Sequence, residues 1–222
     1  MFEAVDIYCE RLGPSFWAEP VNALTNVSFL IGALFAFFRA KQLGVMSLAV
    51  SILLGLMCAI GLGSFSFHTF ANKLTRFLDV LPILLFQLVY LWLYCREIIG
   101  VKPLSGMGII FTYLVAAIFG MQFPHVLNGS LLYAPALAVL FGLGIYHATF
   151  RHNERFILMV AALVFVVSLG SRTLDAYVCP YFPFGTHFLW HLLNGIVLYL
   201  LIRGFLSNRA MARGQEYGAK LS

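Results

Sequence analysis

The sequence predicts an all-α, polytopic membrane protein built as a bundle of seven transmembrane helices. Composition is the first reason. Of the 222 residues, 61% are hydrophobic and only 10% are Asp, Glu, Lys or Arg, with a mean hydropathy of +0.91. A soluble domain carries about 25% charged residues, so this chain lacks the polar surface needed to face water. The second reason is the spacing of its apolar runs. A bilayer core takes about 20 mostly apolar residues per helix, and seven segments meet that length: 22–39, 45–68, 75–96, 104–122, 130–148, 155–172 and 185–205.

Residues 1–19 precede the first span and carry Glu3, Asp6, Glu10 and Glu19. They have neither the basic start nor the apolar stretch of a cleaved signal peptide, so targeting is expected from the first span. The second and third spans carry polar residues at their facing ends. The fourth and fifth are divided by Pro124 and Asn128-Gly129. The sixth runs on an unbroken apolar stretch, and the seventh follows the Pro- and Gly-containing loop CPYFPFGT. There is no repeat, low-complexity tract or long linker, so residues 1–222 are expected to form one membrane domain.

Charge sets the expected orientation, because Lys and Arg accumulate in cytoplasmic loops. With the N-terminus outside, the inner segments hold Arg39, Lys41, Arg96, Lys102, Arg151, Arg155, Arg203, Arg209, Arg213 and Lys220. The outer segments hold Arg11, Lys73, Arg76 and Arg172. Ten against four predicts N-out and C-in. The basic residues stand singly between apolar runs, so the net charge of +5 reflects topology and not a nucleic-acid surface. Cys9 and Cys179 both fall outside, where a disulfide persists. Either they are bridged, tying the N-terminal segment to the loop before the last span, or they are two unpaired thiols.

Ionisable residues within spans are costly, about 2.5–3.5 kcal/mol each at mid-bilayer on insertion scales, and they call for a reason. Here they gather at one depth. Ser64 and His68 end the second span in GSFSFHTF, Asp79 opens the third in RFLDVLPILL, and His187 and His191 open the seventh in GTHFLWHLLNG. Residues four apart share a helix face, so His187 and His191 can reach one ion, and Ser64 lies on the face of His68. Three imidazoles with one open position are a common catalytic zinc set. Asp79 is then placed to accept a proton from water or orient it, and Ser64 to support an oxyanion.

Each residue alone has a plainer explanation. A membrane histidine often hydrogen-bonds between helices, Asp79 suits a helix N-terminus, and Ser64 sits among close-packing Gly61 and Gly63. The convergence of all five favours the metal. His147 and His152, flanking Arg151, read as interfacial, and His125 lies beside Pro124 with no visible partner.

At these residues the sequence resembles the alkaline ceramidases, within a superfamily that includes adiponectin-type receptors and hemolysin III proteins. The resemblance rests on YCERLGPSFWAEPVNALTNVSFLIGA, on SFSFH followed by Asp79, and on LDAYVCPYFPFGTHFLWHLLNG. It implies Zn2+ held by His68, His187 and His191, Asp79 activating water, Ser64 supporting the oxyanion, and a Cys9–Cys179 disulfide. It also implies a lipid substrate, with cleavage of ceramide to a sphingoid base and a fatty acid. The membrane expected is a bacterial inner membrane or that of the endoplasmic reticulum or Golgi. No obligate protein partner is indicated. A receptor-like or channel-like protein keeping zinc without turnover is the alternative, and a metal-free transporter is a third.

The family's structural Ca2+ would fall to Asp6, Glu10 and Glu19. Two positions depart from the pattern: Ile7 stands where an acidic residue is expected, and Leu12 where an amide ligand is expected. Calcium takes six to eight oxygens, which this set supplies poorly. The other reading is that Glu10 and Glu19 pair with Arg11 or Arg172, and that Glu19, Asn22 and Asn26 hydrogen-bond within the bundle.

Overall fold

The computed structural model describes residues 3–150 and 153–219, with side chains as far as residue 212. Arg151, His152, Lys220 and the side chain of Arg213 lie outside that part. Eight α-helices follow in order: α1 Pro20–Thr25, α2 Val27–Gln42, α3 Leu48–Phe70, α4 Lys73–Leu93, α5 Pro103–Met121, α6 Ala134–Phe150, α7 Ile157–Val178 and α8 His187–Ala219. A π-helical turn, Tyr94–Ile99, extends α4, and a 3-10 segment, Val126–Tyr133, leads into α6. No strand occurs among the described residues. Seven helical segments are long and apolar enough to cross a membrane: Pro20–Gln42, Leu48–Phe70, Lys73–Ile99, Pro103–Met121, Val126–Phe150, Ile157–Val178 and His187–Ala212. The protein is a multi-pass integral membrane protein.

Local chemistry explains the helix ends. Pro20 and Pro103 occupy first-turn positions, where the missing N–H is no loss. The Ser47 side chain caps α3 by accepting from Val50 N. Asn72 and Thr75 form a reciprocal capping box at the start of α4, satisfying two otherwise orphaned donors. Ala71 adopts the left-handed conformation, φ 42°, so only Ala71 and Asn72 separate α3 from α4. That tight turn fixes the depth of the two helices relative to each other.

The sixth span was expected to stop at residue 172 and instead continues to Val178. Arg172 and Asp175 do not end it, because both turn inward and find partners among neighbouring segments. His147, expected at the interface, is fully buried. Its Nδ1 lies 2.7 Å from the Tyr94 hydroxyl and its Nε2 3.2 Å from the Asn153 carbonyl.

Large apolar side chains such as Leu34, Phe35, Phe111, Leu163 and Val167 are exposed on the outer helix faces, as a lipid-facing surface requires. The interior is closed by Leu53, Met57, Ile60, Phe86, Leu158, Ile202 and Phe205. The seventh span is the most enclosed, 56% buried against 22–39% for the others, which puts its histidines at the centre of the bundle.

Candidate metal centre

Close approach of α3 and α4 begins the site. A Cβ on Gly63 would collide with the Leu78 carbonyl, so glycine lets the backbones touch there. Ser64 lies six residues before the end of α3 and Asp79 six after the start of α4. At 1.5 Å per residue both sit about 9 Å below the turn. The Ser64 hydroxyl lies beside the Asp79 carboxylate, and both residues are buried.

The N-terminus of α8 brings the other half. Asp175, 1% exposed, reaches across from α7 and accepts from Thr186 N at 2.7 Å and His187 N at 2.9 Å. It thus satisfies the first orphan donors of α8. Its other oxygen accepts from Cys9 N at 3.1 Å. Gly185 makes this possible, with φ +63° and a position where a Cβ would meet Asp175 and Cys9. Cys9 and Cys179 are joined by a disulfide. One carboxylate and one disulfide therefore bind the N-terminal segment, the last loop and the start of α8 together.

Removing that carboxylate carries a defined cost. Asp175→Ala orphans one buried and two part-buried N–H groups. With hydrogen bonds to a charged group worth about 1.5–3 kcal/mol each and non-additive, a loss of about 3–5 kcal/mol is expected. A lowered melting temperature together with weakened metal retention, because His187 is the residue released, is the expected result. An unchanged melting temperature would sink this role.

His68, His187 and His191 converge, and all three are buried. One ring nitrogen from each lies within 4.8 Å of the others, and the ring centroids are 4.7–5.2 Å apart. The remaining nitrogens are engaged. His68 Nδ1 meets Glu19 Oε2 at 2.5 Å, and His191 Nδ1 meets the Thr25 hydroxyl at 3.1 Å. Thr25 donates its own hydrogen to Val21 O, so His191 donates from Nδ1 and its Nε2 carries a free lone pair. By contrast, His68 Nε2 and His187 Nδ1 are buried with no hydrogen-bond partner. Buried polar atoms are rarely left unpaired, and two orphaned imidazole nitrogens within a cluster of three histidines are what a metal would satisfy. The donor set fits zinc, with Glu19 in the carboxylate–histidine arrangement that outer ligands use to orient a metal-bound ring.

Tyr8 stacks on His187 with ring centroids 3.6 Å apart and planes inclined by 18°. Arg172 lies near the Tyr8 hydroxyl, and its guanidinium donates to Asn128 O and Ser130 Oγ, each at 2.9 Å. Burial pushes the Tyr8 phenol well above its usual value. Burial also pushes the Glu10 carboxyl up, although the backbone N–H groups of Asn22 and Val21 oppose it. Burial raises Glu19 too, yet His68 and Arg11 outweigh it and hold that carboxyl below its usual range.

The ceramidase family model matches residues 8–221. The chain belongs to the ceramidase family. No curated protein matches it. The family's reaction is hydrolysis of the ceramide amide bond, and in this ceramidase-family chain the matched region takes in every residue of the cluster.

Two adjoining cavities approach the cluster, and one of them reaches His187. A mouth lined by Asp79, His187, Arg76, Arg172 and His125 opens there. Next to it an apolar cavity of about 90 Å3 runs between Phe29, Phe86, Tyr113, Leu140, Phe165 and Leu201. Ile83, Tyr133 and Trp190 line both. Sequence reasoning missed Tyr8, Thr25, Asp175 and the buried role of Arg172. Of these only Asp175, a carboxylate inside an apolar run, left a signal to follow.

Proposed function

We propose that the protein is a zinc-dependent intramembrane amidase that hydrolyses ceramide or a related N-acyl lipid to a sphingoid base and a fatty acid. The observation that carries this reading is a cluster of three buried imidazoles, each with a ring nitrogen within 4.8 Å of the others and two of them with an unpaired nitrogen, in a bundle that also buries Asp79. His68, His187 and His191 would hold the ion. A zinc ion there supplies Lewis-acid polarisation of a carbonyl and a lowered pKa for water.

The chain's own groups account for the remaining work. Asp79 accepts the proton of the attacking water and returns it to the departing amine nitrogen. In the resting site the Ser64 hydroxyl, set beside Asp79, would donate to it and orient it. Once Asp79 holds the proton, that carboxyl becomes a donor itself, and Ser64 is released to donate to the developing oxyanion. Glu19 and Thr25 hold the His68 and His191 rings in the tautomers that leave Nε2 free. The apolar and aromatic lining of the cavity suits part of a hydrocarbon chain. The mouth keeps the amide at the level of Asp79. The Cys9–Cys179 disulfide lies at the same end as the site, which supports an outer or lumenal active face, with the N-terminus outside and the C-terminus cytoplasmic.

The test is elemental analysis of purified protein beside incubation with N-acyl lipids of graded acyl length, ceramide included. One zinc per chain with release of free fatty acid and sphingoid base is the expected result. Stoichiometric zinc with no product from any lipid would leave a structural metal and overturn the amidase. Protein free of zinc after gentle purification would overturn both.

A further inference from the structure

The metal site is backed by an ion pair from the N-terminal segment that its chemistry does not require. Arg11 is 8% exposed, in a chain that otherwise keeps few charges inside. Its Nε lies 2.5 Å from Glu19 Oε1, one terminal nitrogen donates to Gly13 O at 3.0 Å, and the other donates to His68 O at 2.9 Å. Every acceptor around the guanidinium is an oxygen: one carboxylate and two backbone carbonyls. That is the donor set a hard divalent cation selects. The opposite oxygen of the same carboxylate, Glu19 Oε2, holds His68 Nδ1 and accepts from Asn22 Nδ2 at 3.1 Å.

The residues that the resemblance would assign to calcium do not form a calcium site here. Both Glu10 oxygens are taken by backbone N–H groups at the start of α1, Val21 at 2.7 Å and Asn22 at 2.8 Å. Glu19 is shared by Arg11, His68 and Asn22. Asp6 is exposed, and Leu12, 88% exposed, offers no side-chain oxygen. A dication set among these groups would compete with a guanidinium already satisfied by three acceptors.

We propose that Arg11 takes the place of that divalent cation: its guanidinium positions Glu19, and through Glu19 the His68 ring, so that the zinc site is built and works without calcium. The inference rests on the reading of the histidines as a metal site. Arg11 is a positioning residue. Its planar fork matches three oxygens at once, which a lysine ammonium on a flexible stem does not. The guanidinium is also bonded to the His68 carbonyl, so it fixes the end of α3 as well as the ring.

The wild-type protein, dialysed free of calcium, gives the first test. Elemental analysis is expected to find no stoichiometric calcium, and the melting temperature is expected not to respond to millimolar CaCl2 beyond its response to MgCl2. One calcium per chain, or a calcium-specific rise in melting temperature, overturns the proposal. These readings need no substrate, so they stand even if the protein cleaves no lipid, and the zinc analysis of the same sample judges the amidase separately. Arg11→Ala empties a nest of three oxygens. It is expected to lose zinc occupancy in calcium-free buffer and to regain it with millimolar CaCl2 or methylguanidinium. Full zinc occupancy without either cation, or no recovery with both, overturns the proposal. If Arg11→Ala does not fold, Arg11→Lys decides. The cobalt-substituted Lys variant is expected to fold and to show shifted visible bands, reporting a changed His68 geometry. Bands identical to wild type overturn the positioning role.

Discussion

Replacing any one of His68, His187 or His191 with Ala is expected to strip zinc from the purified protein and to lower lipid hydrolysis by more than a hundredfold. The bound comes from comparison with outer-shell partners, whose loss costs about 10–100-fold in metal affinity or activity. A direct ligand must cost more. Thr25→Ala, which removes only the partner of His191 Nδ1, should fall within that lower band. The three ligand variants should behave alike, because each leaves two imidazoles where one ion needs three. Their folding can be checked independently through the Cys9–Cys179 bridge, read as mobility on a non-reducing gel. Wild-type activity in all three would end the metal reading, whatever the elemental analysis says. Loss of activity with zinc fully retained would move the ion elsewhere in the molecule.

The histidine trio was legible because its signal is local. His187 and His191 are four apart, Ser64 and His68 are four apart, and helical periodicity alone puts each pair on one face. Depth was legible too, since the ends of spans follow from apolar run length. What surrounds the trio was not. Glu19 meets His68 across 49 residues, Thr25 meets His191 across 166, and Cys9 N meets Asp175 across 166. No periodicity links such pairs; only the packed bundle does. Charge was misread for the same reason. Arg172 and Arg11 entered the orientation count as outer loop cations, yet one is held among Asn128, Ser130 and Tyr8 and the other against Glu19. The pairing of Glu19 with Arg11 was one of the options the sequence left open, and packing selects it over Arg172. Glu10, weighed for the same role, caps α1 instead.

Asp79→Asn separates proton transfer from metal binding, and its expected effect on turnover is the largest of any residue outside the trio. The substitution preserves shape. Ser64 lies beside the amide oxygen as it lies beside the carboxylate, and the helix contact at Gly63 is untouched. What disappears is the ability to accept a proton from water and hand it on. Positioned general acid–base groups contribute about 10²–10⁴-fold, so kcat should fall by that factor while zinc content and melting temperature stay at wild-type values. KM should change little, because on the proposed reading the lipid chain would lie in the apolar cavity lined by Ile83, Tyr133 and Trp190, away from the substituted carboxylate. Ser64→Ala should lose less, because the carboxylate survives it and only orientation and one oxyanion donor are removed. Zinc lost from Asp79→Asn would make the carboxylate a ligand or a fold residue. Undiminished kcat would require the proton to travel through another group, and the mouth offers Tyr8 and His125 as the next to examine.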